Sequence, residues 1–508
     1  MLLTGCGRGE GSATDRGGRP APGPEYVLPD GGGSGGSTGA STGGTERPVD
    51  GVREGEGEDD GLRHSAPPAD YLSTFALDVD TAGYGFARRT LAEGRLPDPA
   101  AVRPEEFVNS FRQDYRQPDG NGFSVTVDGA RTTGDWSLVR VGLTTRAAAA
   151  DARRRPAALT FVVDISGSMA EPGRLDLVRT AMDLMTDRLR DDDSVAVVAF
   201  SDEAETRLPM TRLAENRKRV HEVIDGLRPS ESTNVEAGVT RGYREAVAGH
   251  RPEATNRVVL LSDALANTGA TSADTILGRI DDARRSHGIT LSGVGVGADY
   301  GDALMEQLAD HGDGHTTYVS DEADARRVFC EELPAQIELR ARDAKAQVSF
   351  DPQTVERFRL IGYDNRKVAD GDFRNDAVDG GEVGPGHTVT ALYAVRIRPG
   401  AAGHLATATV RWLDPRTRTP HEESGGVEAA DLSEGLWTPQ TPARLQVSAV
   451  AAYFASALRE TSGTWEPLPG ALPLGGLAER AALLADRTED PDVERLAEAV
   501  RQASGLRR

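Results

Sequence analysis

The pattern of apolar and polar positions changes character twice along this chain. Residues 72–79 read as a strand and 84–93 as a short helix ending at Gly94; a second helix is expected over 104–115, with Pro104 tolerated in its first turn. Phe123-Ser-Val-Thr-Val and Trp136-Ser-Leu-Val-Arg-Val-Gly-Leu then alternate apolar and polar, as antiparallel strands wet on one face do. From Ala157 the alternation gives way to apolar runs: Leu159-Thr-Phe-Val-Val, Val195-Ala-Val-Val-Ala-Phe, Val258-Val-Leu-Leu and Ile289-Thr-Leu-Ser-Gly-Val-Gly-Val. Such runs suit strands covered on both faces. Helical stripes stand between them, in Leu175, Val178, Met182, Met185 and Leu189, in Val220, Val223, Ile224 and Leu227, and in Val239, Tyr243 and Val247. Strand and helix in alternation predict an α/β unit over 157–340, a doubly wound, mostly parallel sheet with helices on both sides.

Beyond Arg340 the strand alternation returns in Ala346-Gln-Val-Ser-Phe, Thr388-Val-Thr-Ala-Leu-Tyr-Ala-Val-Arg-Ile and Ala406-Thr-Ala-Thr-Val-Arg-Trp-Leu. The strands before and after the α/β unit are expected to form one sheet assembly into which that unit is inserted. Residues 441–460 and 476–504 are Ala-rich and helical, and Val447, Val450, Phe454 and Leu458 make a stripe suited to packing on that sheet. The organisation that follows is an N-terminal tract over 1–69, an extension of helices and strands over 70–150, the α/β domain over 157–340, a β-rich domain over 341–440 and C-terminal helices over 441–508. A chain of 508 residues has room for about three domains at ~150 residues each.

Residues 7–69 are read as a disordered linker, since Gly31-Gly-Gly-Ser-Gly-Gly-Ser and Glu54-Gly-Glu-Gly-Glu-Asp-Asp bury too little apolar surface to order themselves. Leu3-Thr-Gly-Cys6 matches a bacterial lipoprotein cleavage box, in which the cysteine is lipidated after signal removal. Only Met1, Leu2 and Leu3 precede the Thr-Gly-Cys of the box, so this reading places the start of the signal peptide upstream. It makes the protein extracytoplasmic, held to the cell membrane by an N-terminal lipid alone. No segment reaches the ~18–20 apolar residues of a membrane span.

Composition narrows the function classes. With 58 Lys and Arg against 80 Asp and Glu the net charge is −22, which opposes nucleic-acid binding, and 5% aromatic content opposes base stacking. Two cysteines exclude a disulfide scaffold, and Cys330 sits in a helical pattern as a small buried thiol. No Lys follows a Gly, so a Walker A loop is absent, and His221-Glu-Val-Ile-Asp lacks the second His of a zinc protease motif. The acidic stretch over 364–382 reads as a solvated loop.

The candidate chemistry lies in the α/β unit. Asp164-Ile-Ser-Gly-Ser follows directly on the strand over 159–163, and Asp263 ends the strand over 258–261. Ligands of open parallel sheets bind at the carboxyl ends of strands. Thr233 lies in the loop Pro229-Ser-Glu-Ser-Thr-Asn that opens the helix from Val235. Three loops thus bring two carboxylates, Asp164 and Asp263, and three hydroxyls, Ser166, Ser168 and Thr233, toward one sheet edge. Oxygen ligands select hard cations, and small hydroxyls with few charges suit Mg²⁺, with Mn²⁺ or Ca²⁺ also accommodated. The competing reading is helix capping by Ser166, Ser168, Thr233 or Asn234.

Phe161-Val-Val-Asp-Ile-Ser-Gly-Ser-Met, Ser232-Thr-Asn and Leu260-Leu-Ser-Asp resemble a von Willebrand factor type A domain with a metal-ion-dependent adhesion site. The resemblance implies that Ser166, Ser168 and Thr233 bind metal by their hydroxyls and that Asp164 and Asp263 bind it directly or through water. It also implies a protein partner whose carboxylate completes the coordination. The residue after the last aspartate, commonly Gly in that family, is Ala264 here. Ser73-Thr-Phe-Ala-Leu-Asp-Val-Asp-Thr-Ala-Gly-Tyr, Val102-Arg-Pro-Glu-Glu-Phe-Val-Asn and Leu360-Ile-Gly-Tyr-Asp-Asn-Arg are similar to segments flanking the A domain in the bacterial YfbK-like family, over roughly 70–460. The expectation is a metal-dependent protein-binding, adhesion-type module on a tethered surface lipoprotein, not an enzyme. Its alternatives are an intracellular adaptor for a separate ATPase and, as a minor one, a metal-dependent hydrolase.

Overall fold

A computed structural model describes residues 71–77, 79–147, 154–263, 273–278, 280, 286–297, 302–310, 314–319, 321–329, 339–376, 378, 380–460 and 468–507. Cys6, the linker over 7–69, Ala264 and Cys330 lie outside the described residues. Fifteen strands are named here: β1 (Leu72–Ala76), β2 (Phe123–Arg131), β3 (Trp136–Thr145), β4 (Ala157–Asp164), β5 (Ser194–Phe200), β6 (Ala204–Arg212), β7 (Thr255–Ser262), β8 (Thr290–Val296), β9 (Thr316–Val319), β10 (Ala341–Phe350), β11 (Val355–Leu360), β12 (Gly381–Val383), β13 (Thr388–Ile397), β14 (His404–Leu413) and β15 (Pro420–Glu428).

The apolar runs form a six-stranded sheet of order β6-β5-β4-β7-β8-β9, with every neighbouring pair parallel except β5 and β6. Successive side chains of a strand point to opposite faces. Accordingly Leu159, Phe161 and Val163 of β4 join a core with Val178, Met182 and Ile224 from the helices Leu175–Arg188 and Arg217–Asp225. Val162, between them, joins a second core with Val239 and Tyr243 of the helix Val235–Ala248 and with Met305. Helices on both faces explain why β4 and β5 read as unbroken apolar runs. The antiparallel edge strand β6 escaped the hydrophobic reading because Leu208 is its one buried residue. Pro209 is tolerated there because an edge strand has a side with no ladder to donate to.

The flanking strands form two antiparallel sheets. One has the order β1-β10-β14-β15, with β12 beside β10, and the other β11-β13-β3-β2. Each joins strands from both sides of the inserted unit: Phe75 of β1 stands opposite Ala346 of β10, and Gly142 of β3 opposite Thr390 of β13. The two sheets share a core of Phe75, Val139, Val141, Val348, Phe350, Tyr393 and Val410. Leu138 and Leu392 of the β3-β13 sheet share a further core with Phe107, Val450, Phe454, Leu477 and Leu496 from the helices. The helix Ala443–Arg459 shares this core with the sheet, and its neighbours are the helices Pro104–Asn109 and Leu474–Thr488.

Three expectations need correcting. The helix from Pro104 ends at Asn109, not Tyr115. The Asn109 side chain bonds β13, accepting from the Thr390 amide at 2.7 Å and donating to its carbonyl at 3.0 Å, and Asp114 turns at positive φ. The helix expected over 476–504 is two, Leu474–Thr488 and Pro491–Leu506, because Glu489 adopts a left-handed conformation and Pro491 can start a helix but not continue one. The acidic stretch over 364–382 is not wholly solvated: Glu382 lies in β12, nearly buried, 3.7 Å from the guanidinium groups of Arg257 and Arg342.

The described residues belong to one compact unit. Asp80 accepts from the Thr316 amide of β9 and from Arg366 of the flanking domain. On the helix Ala82–Ala92, Phe86 meets Tyr318 edge to face and Arg88 pairs with Asp324 at 3.2 Å.

Candidate metal centre

The site is built where β4 and β7 end side by side. Asp164 is the last residue of β4, and its Oδ1 accepts from the Ser166 amide at 2.8 Å while Oδ2 accepts from the Ser262 hydroxyl at 2.5 Å. The turn this makes brings the Ser166 and Ser168 hydroxyls to 3.1 Å from one another. Asp263 follows β7 directly, fully buried. Thr233 arrives from the third loop, which is tied down by the Ser230 amide on the Ile165 carbonyl and the Asn234 amide on the Ser201 carbonyl. Ser232, just before it, holds a left-handed φ of 61°, a conformation uncommon outside Gly, Asn and Asp.

The helix behind Thr233 approaches the sheet closely enough for this. A Cβ on Gly242 would lie 2.3 Å from Val162 Cγ2, and one on Gly238 2.6 Å from the Phe200 ring. Two bare positions on one helix face let its backbone press against β4 and β5.

The capping alternative divides by residue. Asn234 is the cap of the helix Val235–Ala248, its side chain accepting from the Ala237 amide at 3.0 Å. Ser166 makes no side-chain cap bond, and the helix Leu175–Arg188 begins several residues further on. All five residues singled out from the sequence are gathered at the carboxyl edge of the sheet, with Asp164, Ser166, Thr233 and Asp263 buried and Ser168 half-buried.

Electrostatics there are strained. Burial pushes the Asp164 carboxyl up to about 6, against the Ser262 and Ser166 hydrogen bonds that lower it, and neighbouring Asp263 adds to the rise. Asp263 Oδ2 accepts from Arg174 at 2.8 Å, whereas its Oδ1 is buried and has no hydrogen-bond partner among the described residues. A buried carboxylate oxygen without a donor is costly and calls for a counter-charge. Among the described residues no group of three or more His, Cys, Asp or Glu gathers as a metal site. A cation here would be held by Asp164 and Asp263 with the hydroxyls of Ser166, Ser168 and Thr233, an all-oxygen set that fits a hard divalent ion. Sequence reasoning missed Ser262, whose only signal is its place beside Asp263. It also missed Arg174, whose long side chain returns to the site from the start of its helix.

Comparisons with known proteins agree with this architecture. Residues 158–330 match the family profile described as von Willebrand factor type A domain. Residues 336–428 match the profile described as Uncharacterized protein YfbK, C-terminal, and residues 61–137 one described as von Willebrand factor. The Escherichia coli (strain K12) protein described as Uncharacterized protein YfbK is 32% identical over 408 residues, 75% of this chain and 70% of that protein. The chain belongs to the YfbK family. Within this YfbK-family chain the type A domain is carried as an insert between strands that pair across it. The Synechocystis protein described as Uncharacterized protein sll0103 is 26% identical over 178 residues, 35% of this chain and 41% of its own. A solved structure described as von Willebrand factor type A from Catenulispora acidiphila aligns with a TM-score of 0.45 at 16% identity, over 76% of this chain and 91% of that one.

Proposed function

We propose that this protein binds a protein partner through a divalent cation, Mg²⁺ before Mn²⁺ or Ca²⁺, held by Asp164, Ser166, Ser168, Thr233 and Asp263. The observation that carries the reading is the buried Oδ1 of Asp263, which has no hydrogen-bond partner among the described residues, at the sheet edge where the neighbouring strand ends in a second buried carboxylate, Asp164. A cation bound there would act as a Lewis acid toward a Glu or Asp side chain of the partner. The chain's own residues do the rest. Ser262 and the Ser166 amide fix the Asp164 oxygens, and the tight seating of the helix Val235–Ala248 sets Thr233. Net negative charge does not oppose an acidic side chain at contact, since surface charges beyond ~8 Å are screened at physiological salt. The role is binding, not catalysis: the neighbouring charged groups, Arg174 and Glu171, are spent on ion pairs. Cys6 is the proposed lipid attachment and 7–69 the tether, which places the module outside the cytoplasm; globomycin-sensitive processing checks this part separately.

The test is a pull-down from surface extracts with Mg²⁺, with EDTA, and with Asp164→Ala. A partner retained by the wild type in Mg²⁺ alone supports the reading. Equal capture under all three conditions overturns it.

A further inference from the structure

The charge facing Asp263 comes from within the chain. Arg174 is 4% exposed, and its guanidinium donates to Asp263 Oδ2 at 2.8 Å, to the Ser168 carbonyl at 3.1 Å and to Glu171 at 2.8 Å. It thus touches two of the loops that supply the site. The fold also keeps room for it: Gly297, at a φ of +89°, lies so close that a Cβ there would stand 2.6 Å from Arg174 Nε. Glu171, the other carboxylate on the guanidinium, is 65% exposed and so is screened by solvent, whereas Asp263 is fully buried.

We infer that Arg174 is a built-in counter-cation of the proposed metal site, which holds Asp263 by Oδ2 so that the carboxylate offers only Oδ1 to a divalent ion, and which weakens the binding of that ion. The inference rests on the reading of the site given above. Its physical basis is a balance of buried charges. Asp164 and Asp263 together carry two negative charges, and Arg174 removes one of them. A divalent ion therefore enters a site of net −1 instead of −2 and leaves it at net +1. The first consequence is a weaker hold on the metal. The second is a residual positive charge that favours an anionic group from the partner, the carboxylate class already proposed. Arg174 also spares the metal-free protein two buried carboxylates with no cation between them, a juxtaposition that opposes joint ionisation. Because the guanidinium stays charged at any physiological pH, this hold does not switch off with acidity.

The test titrates Mn²⁺ by the loss of its free electron-paramagnetic-resonance signal, with Mg²⁺ as competitor, against the full chain. Wild type, Arg174→Met, Arg174→Gln, Arg174→Lys and Asp164→Asn are compared, each with its circular-dichroism spectrum as a folding check. Removing a unit charge this close to the ion is expected to tighten Mn²⁺ binding by about tenfold or more in Arg174→Met. Arg174→Gln keeps a donor for Asp263 without the charge; it should tighten binding likewise, and it is the variant read where Arg174→Met does not fold. Arg174→Lys should remain near the wild type. A merely structural role predicts the opposite sign, since loosening the loops weakens binding. Unchanged or weaker Mn²⁺ affinity in the folded charge-removing variants, with Asp164→Asn still abolishing binding, overturns the role of Arg174 alone. Equal Mn²⁺ binding by wild type and Asp164→Asn overturns the site and the inference together.

Discussion

Asp80 and Arg366 stand 286 residues apart in the chain and meet at 2.9 Å, both buried. The other oxygen of Asp80 accepts from the Thr316 amide at the start of β9. One carboxylate therefore ties the N-terminal extension to the inserted domain and to the β-rich domain that follows it.

Asp80→Ala takes a carboxylate from a buried guanidinium and the acceptor from an amide. Breaking a buried pair from one side costs about 3–5 kcal/mol. A lower urea midpoint is expected; a midpoint equal to the wild type would refute the tie.

The metal-free protein should show the burden of Asp164. Its pKa in the fold, about 6, lies above the ordinary 3.8, so the folded state disfavours the ionised form. Stability from the protonated carboxyl is therefore complete below pH 4 and lost as pH rises through 6. Asp164→Asn, neutral and of the same shape, should stabilise the metal-free protein at pH 7 by about 2 kcal/mol. Calorimetry at pH 7 in EDTA checks this; a destabilised variant would show that the charge is not the burden.

Divalent cation should reverse that burden. A ligand that binds only the folded state stabilises it by mass action, about 2.7 kcal/mol at a hundredfold excess over Kd. Melting in Mg²⁺ is expected to rise for the wild type and stay unchanged for Asp263→Ala. Below pH 6 the ion must displace a proton from Asp164, so its apparent affinity should fall about tenfold per pH unit. A pH-independent affinity between 4.5 and 6 would assign the ion elsewhere.

Gly242→Ala tests the seating of the helix behind Thr233. Its methyl would fall 2.3 Å from Val162 Cγ2, an overpacking worth about 1–3 kcal/mol. If the helix must shift to relieve it, Thr233 shifts too, and Mg²⁺ affinity should drop about tenfold by isothermal titration. Unaltered affinity would mean that the loop holds Thr233 independently of the helix.

Much of this fold is legible in the sequence. Strands buried on both faces are apolar throughout, so β4, β5, β7 and β8 announced a covered parallel sheet. Asp164 and Asp263 were legible because each ends such a run. What escaped notice obeys weaker rules. The edge strand β6 has one buried side chain and so no pattern, and β12 is too short for one. The end of the helix at Asn109 was hidden because a tertiary contact, the pairing of its amide with Thr390, outweighs local propensity.

By itself, then, the sequence determined the periodicities, the places where strands end, and the residue types that can meet there, because these depend on neighbours a few positions away. Only the tertiary structure decided which side of each residue faces what. It assigned the cap to Asn234 and set Thr233, just before it, at the carboxyl edge of the sheet. It paired β1 with β10 and β3 with β13 across the inserted domain, and it brought Arg174 onto one oxygen of Asp263 while the other has no donor among the described residues. Contacts between residues this distant depend on the packing of whole sheets and helices, and no local pattern encodes them.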